Sequence, residues 1–177
     1  SSTPLWSYTT EGNVRSVAIS ADGEYITAGS DDEKVYLFEK DSSTPLWNYE
    51  TGHWVYSVSI SADGEYIAAG SYDDKVYLFD RGNSTPLWSY TTDNWVESVA
   101  ISADGEYIVA GSTDDKVYLF DKDSSTPLWS YQTGSIVYSV AISADGEYIA
   151  AGSGWGDHKT YLFDEGNSTG GPPVAYS

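Results

Sequence analysis

The side chains best suited to binding or reaction lie where four near-identical segments of this chain disagree. Ahead of each Ser-Val-type run the copies read Glu11-Gly12-Asn13-Val14-Arg15, Gly52-His53-Trp54-Val55-Tyr56, Asp93-Asn94-Trp95-Val96-Glu97 and Gly134-Ser135-Ile136-Val137-Tyr138. The Val is constant and its flanks are not. A second variable place follows each Ala-Gly-Ser: Asp31, Tyr72, Thr113, and in the last copy the longer Gly154-Trp155-Gly156-Asp157-His158. Trp, Tyr and Arg are the side chains that most often anchor interfaces. The candidate partner-binding residues are therefore Asn13, Arg15, His53, Trp54, Tyr56, Tyr72, Asn94, Trp95, Glu97, Ile136, Tyr138, Trp155 and His158. The competing reading is drift in exposed loops. Drift deposits Ser, Thr, Asn and Lys more readily than Trp and Tyr, so the pattern favours binding of a protein, peptide or glycan.

Catalytic chemistry has little support. His53 and His158 are the only histidines, and no paired-ligand spacing accompanies them, so no metal is expected. Asp-rich turns such as Asp121-Lys122-Asp123-Ser124-Ser125 lack the spacing of a dedicated calcium loop and read as solvated turns. The chain has no Cys, which removes disulfides, thiolate sites and Cys nucleophiles. No Ser-His-Asp set can be argued from repeated surface Asp. The expectation is a protein that is not an enzyme and needs no cofactor.

The elements that must carry these residues follow from the repeat. Ser-Thr-Pro-Leu-Trp begins at Ser2, Ser43, Ser84 and Ser125, and Ser-Ala-Asp-Gly-Glu-Tyr at Ser20, Ser61, Ser102 and Ser143, both at a period of 41. In the second copy, residues 54–60 alternate at period two and read as a strand. Asp63-Gly64 turns the chain, since Asp-Gly supports the positive φ of a hairpin. Residues 65–70 are the next strand, and Lys75-Val76-Tyr77-Leu78-Phe79 is apolar enough to be covered on both faces. Pro86-Leu87-Trp88-Ser89-Tyr90 is the fourth strand, with Pro at its start where a missing N–H does little harm. Four short strands every 40–45 residues point to the blades of a β-propeller. Such a sheet is buried only by stacking on copies of itself.

Residues 139–153, Ser-Val-Ala-Ile-Ser-Ala-Asp-Gly-Glu-Tyr-Ile-Ala-Ala-Gly-Ser, resemble the first half of a WD40 repeat. Residues 116–129 are similar to the strand, loop and Trp of a PQQ-type repeat. The resemblance runs from Ser2 to about Asp164 and implies an all-β propeller whose channel-mouth loops contact partners. Carried onto this chain, those contact positions are Asn13, Trp54, Trp95 and Ile136, and Arg15, Tyr56, Glu97 and Tyr138. The chain departs from WD40 where Phe-Asp or Phe-Glu replaces Trp-Asp, and it lacks the structural His, so the family's hydrogen-bonded tetrad is not carried over. PQQ itself is not implied.

The expected organisation is a four-bladed propeller unit over 1–166, in repeats 2–42, 43–83, 84–124 and 125–167, followed by a Gly/Pro-rich tail over 167–177. Pro4, Leu5, Trp6 and Tyr8 read as an outer strand, and Tyr161, Leu162 and Phe163 as a third strand lacking its fourth. Pairing the two removes an open sheet edge. One chain can do this as a four-bladed ring, two as an eight-bladed homodimer, or many as a filament; blades this compact favour the eight-bladed homodimer. Val174 to Tyr176 offers a degenerate outer strand as an alternative.

Net charge is −19, from 27 acidic and 8 basic residues, which disfavours nucleic acid and anionic lipid as partners. No segment is long and apolar enough to span a bilayer as a helix. The chain holds no Met and starts at Ser1, as expected after removal of an initiator Met or a signal peptide. Asn83 and Asn167 match the N-glycosylation pattern, and their use would place the protein outside the cell or at its surface.

Overall fold

The computed structural model describes residues 2–166. These form fifteen strands in four antiparallel sheets, with no helix among the described residues. The first sheet runs β1 (Val14–Ile19), β2 (Tyr25–Ser30), β3 (Lys34–Glu39) and β4 (Trp47–Glu50). The second holds β5 (Val55–Ile60), β6 (Tyr66–Ser71), β7 (Lys75–Asp80) and β8 (Trp88–Thr91). The third holds β9 (Val96–Ile101), β10 (Tyr107–Ser112), β11 (Lys116–Asp121) and β12 (Trp129–Gln132). The fourth has only β13 (Val137–Ile142), β14 (Tyr148–Ser153) and β15 (Thr160–Asp164). Sequential up-and-down order makes each sheet one blade.

Local chemistry sets both hairpins. In the first, Ser20 Oγ donates to Asp22 Oδ1 at 2.6 Å and accepts from Tyr25 N–H at 3.0 Å, while Gly23 takes φ 75°. The same Ser-x-Asp-Gly lock recurs at Ser61, Ser102 and Ser143. In the second, a residue with positive φ closes the turn: Glu33, Asp74, Asp115 and, in the longer fourth loop, His158 at 52°. His158, one of the candidate partner-binding residues, thus holds a backbone position that few non-glycine residues adopt.

Blades stack through their first strands, β1 beside β5, β5 beside β9 and β9 beside β13. The small side chains there are structural. Val58 N–H donates to Ser16 Oγ at 3.1 Å, Val99 N–H to Ser57 Oγ at 3.0 Å and Val140 N–H to Ser98 Oγ at 3.1 Å. Three apolar cores lie between successive blades. Each pairs a valine and a leucine of one blade with the valines, isoleucine and rings of the next; Val76 and Leu78 against Val96, Val99, Ile108 and Phe120 is one instance. The outer-strand Trp reaches forward as well: Trp47 lies 5.3 Å from Phe79, Trp88 5.2 Å from Phe120 and Trp129 5.3 Å from Phe163.

Some expectations need correction. The fourth strand begins at Trp88, not Pro86, and the first at Val55, not Trp54. Pro4 to Tyr8 is not a strand here, because among the described residues no neighbouring strand lies beside it to complete a ladder. Trp6 still packs 5.3 Å from Phe38 and Tyr8 5.3 Å from the same ring. Asn167 and the tail over 167–177, including Val174 to Tyr176, lie outside the described residues.

Candidate partner-binding rim

Each first strand carries a β-bulge at its start. Register slips between Val14 and Ser16, between Val55 and Ser57, opposite Gly111 and Ser112, and between Val137 and Ser139. The residues left over are Arg15, Tyr56, Glu97 and Tyr138. A bulge leaves one residue out of the ladder and re-aims its side chain, and bulges are enriched beside functional sites. The second strand-to-third strand hairpins and the loops before each first strand share this edge of the blades, as Asp31 N–H to Asn13 O and Tyr72 N–H to Trp54 O show at 2.8 and 2.9 Å.

Eight of the sequence-selected residues meet across the first three blades. Tyr72 stacks on Trp95 of the next blade, with ring centroids 4.6 Å apart and planes 9° apart, and on Tyr56 at 4.8 Å and 17°. Trp54 and His53 flank Tyr72, each 6.2 Å away. The Arg15 guanidinium sits 5.6 Å from the Trp54 ring and 5.7 Å from that of Tyr56, within range of a cation–π attraction. It also forms a fork with Asp31, Nε to Oδ1 at 2.7 Å and a terminal nitrogen to Oδ2 at 2.6 Å, while Asn13 Nδ2 donates to Asp31 Oδ2 at 2.9 Å. That Arg15 bond holds the Asp31 carboxyl below its usual range. Tyr72 OH donates to Glu97 Oε1 at 2.9 Å. Burial raises Glu97 despite the opposing effect of that bond, and burial, then the bond, raises Tyr72.

The remaining candidates stand apart from this stack. Asn94 turns back to accept Trp95 N–H at 2.9 Å. Ile136, Tyr138, Trp155 and His158 belong to the fourth blade, and Trp155 is 85% exposed. Asn83 is exposed but caps its own loop, accepting Thr85 N–H at 2.9 Å. No group of three or more metal-ligating side chains occurs among the described residues.

Sequence reasoning missed a polar network under the rim. Asp73 accepts from Tyr77 OH at 2.5 Å, from Gly52 N–H at 2.8 Å and from Lys75 N–H at 3.1 Å. Asp32, Asp114 and Asp157 repeat it with Tyr36, Tyr118 and Tyr161. The available signal was an Asp four residues before each strand tyrosine. Asp157 keeps this role despite the longer loop, and bonds from Ser153 and Tyr161 hold its pKa down to about 2. The network fastens both loop sets, so the aromatic stack rests on a rigid base.

The site offers flat rings, hydroxyls and carboxylates on one rigid rim, chemistry suited to recognition. No curated protein matches the chain significantly. The family model for the WD domain, G-beta repeat, matches residues 2–39, 43–80, 84–121 and 125–164. Propellers of this family are generally non-enzymatic scaffolds for protein interaction. A blade-length match repeated four times over most of the sequence, on four stacked antiparallel sheets, makes this chain a member of the WD40 repeat family.

Proposed function

We propose that the chain is a non-enzymatic interaction module that takes a protein or peptide partner, or a glycan, on its aromatic rim. One observation carries this reading. Tyr56, Tyr72 and Trp95 stack across a blade junction, with Trp95 itself exposed and Trp54 exposed beside the stack. Exposed rings held on a preorganised base give contact area at little ordering cost. A displayed peptide library and a glycan array, each probed with the wild type and with a Trp54→Ala/Trp95→Ala double variant, test it. Ligands enriched on the wild type should bind the variant at least about 30-fold more weakly, the loss of one strong interface anchor. Ligands that bind both proteins equally, or no ligand at all, would overturn it.

A second reading is compatible and rests on a separate observation. The first and fourth blades each leave open the face that the inner blades cover. Val14 is 48% exposed where Val55, Val96 and Val137 are fully buried, and Val17 66% where Val58 is 6%. On this reading the chain is a structural subunit that associates with copies of itself. Absolute mass in solution tests it, and a mass of 19.3 kDa at every concentration would refute it.

A further inference from the structure

The two open faces are the two halves of the junction that already repeats three times inside the chain. Gly29, Gly70 and Gly111 each receive the first-strand valine of the next blade. A Cβ added to them would lie 2.7 Å from Val55, 2.6 Å from Val96 and 2.6 Å from Val137. Gly152, their equivalent on the fourth blade, has nothing within 4 Å, and Val14, the unused valine, is exposed at the other end.

The outer part of the junction is split the same way. Tyr25, Tyr66 and Tyr107 each cap a turn glycine of the next blade, Gly64, Gly105 and Gly146. Tyr148 is exposed and caps nothing, while Gly23 has nothing within 4 Å. Gly23 instead borders an apolar pocket of about 330 Å³ with Leu5, Trp6, Ile19, Ile26 and Lys40. Where the junction is filled, Arg81 lies 4.5 Å over the Tyr25 ring; Lys40 stands in the same place beside the pocket. Ala21, Ala62 and Ala103 donate their N–H to the Ala62, Ala103 and Ala144 carbonyls at 2.9, 2.9 and 3.0 Å, and Ala144 and Ala21 end the series.

The strand bookkeeping agrees. Trp6 Nε1 donates to Lys40 O at 2.6 Å, as Trp47 does to Arg81 O and Trp88 to Lys122 O at 2.7 Å. Residues 4–8 therefore sit where the outer strand of a preceding blade belongs, and among the described residues no sheet pairs with them. Among the described residues the fourth blade has three strands, and β15 pairs only with β14.

We propose that two copies of the chain close one eight-bladed ring, each laying residues 4–8 along β15 of the other. The proposal rests on the self-association reading and deepens it by fixing partner, stoichiometry and register. A second copy presents valines, tyrosine, backbone donors and an outer strand at the spacing the three internal junctions use. A ring built from copies of these four blades holds a multiple of four, and propellers hold about four to eight blades. One copy leaves its ends apart, so two copies complete the ring. Leu37, Leu78 and Leu119 lie opposite Trp47, Trp88 and Trp129, which sets Leu162 opposite the partner's Trp6. The seam also extends the rim. Tyr138 and Trp155 come to face the partner's Asn13 and the partner's Arg15, as Tyr56 and Tyr72 face Trp95 and Glu97.

The test uses light scattering after gel filtration together with a disulfide trap. Lys34, Lys75 and Lys116 pair with Glu50, Thr91 and Gln132, so Lys159 pairs with the partner's Thr9. The chain has no Cys of its own, so a Thr9→Cys/Lys159→Cys variant, with each single Cys variant as control for like-to-like links, reports this contact. The expected result is twice 19.3 kDa and a covalent dimer on oxidation. Gly152→Ala should shift the mass towards 19.3 kDa while leaving the single chain folded, because its own fold leaves space there. A monomeric wild type would sink the self-association reading and the ring together. Large polydisperse material would keep self-association and overturn the ring. A dimer that the cysteines do not trap would keep self-association and overturn the exchanged strand.

Discussion

At the scale of single residues, the repeated Asp–Tyr pair is where stability and site geometry join. Tyr77 is almost wholly buried, and its hydroxyl donates at 2.5 Å to Asp73, which also holds the loop amide of Gly52. Burial and this bond push Tyr77 far above the usual phenol range. Tyr77→Phe removes a hydrogen bond to a charged acceptor and should cost about 1.5–3 kcal/mol in urea unfolding. The fourth-blade pair gives a pH prediction with a definite sign. The Asp157 pKa is depressed to about 2, chiefly by the Ser153 hydroxyl and then by Tyr161. A depressed carboxyl stabilises the fold above its unfolded pKa of about 4 and loses that contribution as pH falls through its folded value. Thermal melts between about pH 4 and pH 2 should therefore fall less steeply for Asp157→Asn than for the wild type. Equal slopes would show that Asp157 is not held in this way.

At the scale of elements, the blade junction is a close approach of one strand to a glycine of the next sheet. Gly111 admits the Val137 methyl where a Cβ would lie 2.6 Å from it and 3.0 Å from Val140. Both valines are buried in an apolar core, so neither can move far. Gly111→Ala should destabilise the chain by about 1–3 kcal/mol through overpacking, read as a lower urea midpoint at unchanged slope. A midpoint unchanged from wild type would mean that the junction is looser than described. The bulge on each first strand is the complementary device, since it keeps the Val pointing into the junction while sending Arg15, Tyr56, Glu97 or Tyr138 to the rim.

At the scale of the whole molecule, charge and topology act together. A net charge of −19 on 177 residues makes the compact state repel itself, and two copies in the proposed ring would repel each other further. Raising ionic strength from about 0.01 M to 0.15 M shortens the screening length from about 30 Å to about 8 Å. The melting temperature should rise over that range by about 2–4 °C for each kcal/mol gained. The dimeric fraction should rise with it at fixed protein concentration. A melting temperature that falls with added salt would mean that the seven ion pairs among the described residues outweigh the net repulsion.

The repeat alone determined the blade count in the described chain, the strand order and the chemistry of the first hairpin turn. These depend on local features: a 41-residue period, period-two alternation and an Asp-Gly at each first hairpin. It also placed the variable residues on one rim, because alternate connections of an up-and-down sheet share an edge. Only the tertiary structure decided which of those residues meet. Tyr72 and Trp95 are 23 positions apart and lie on different blades, and their 9° stack depends on how two sheets settle against each other. The bulges were likewise invisible, since they depend on the register of two paired strands. The two unfilled ends follow from the same cause. Val14 and Val55 carry the same sequence pattern, and only the presence of a neighbouring sheet separates a buried valine from an exposed one.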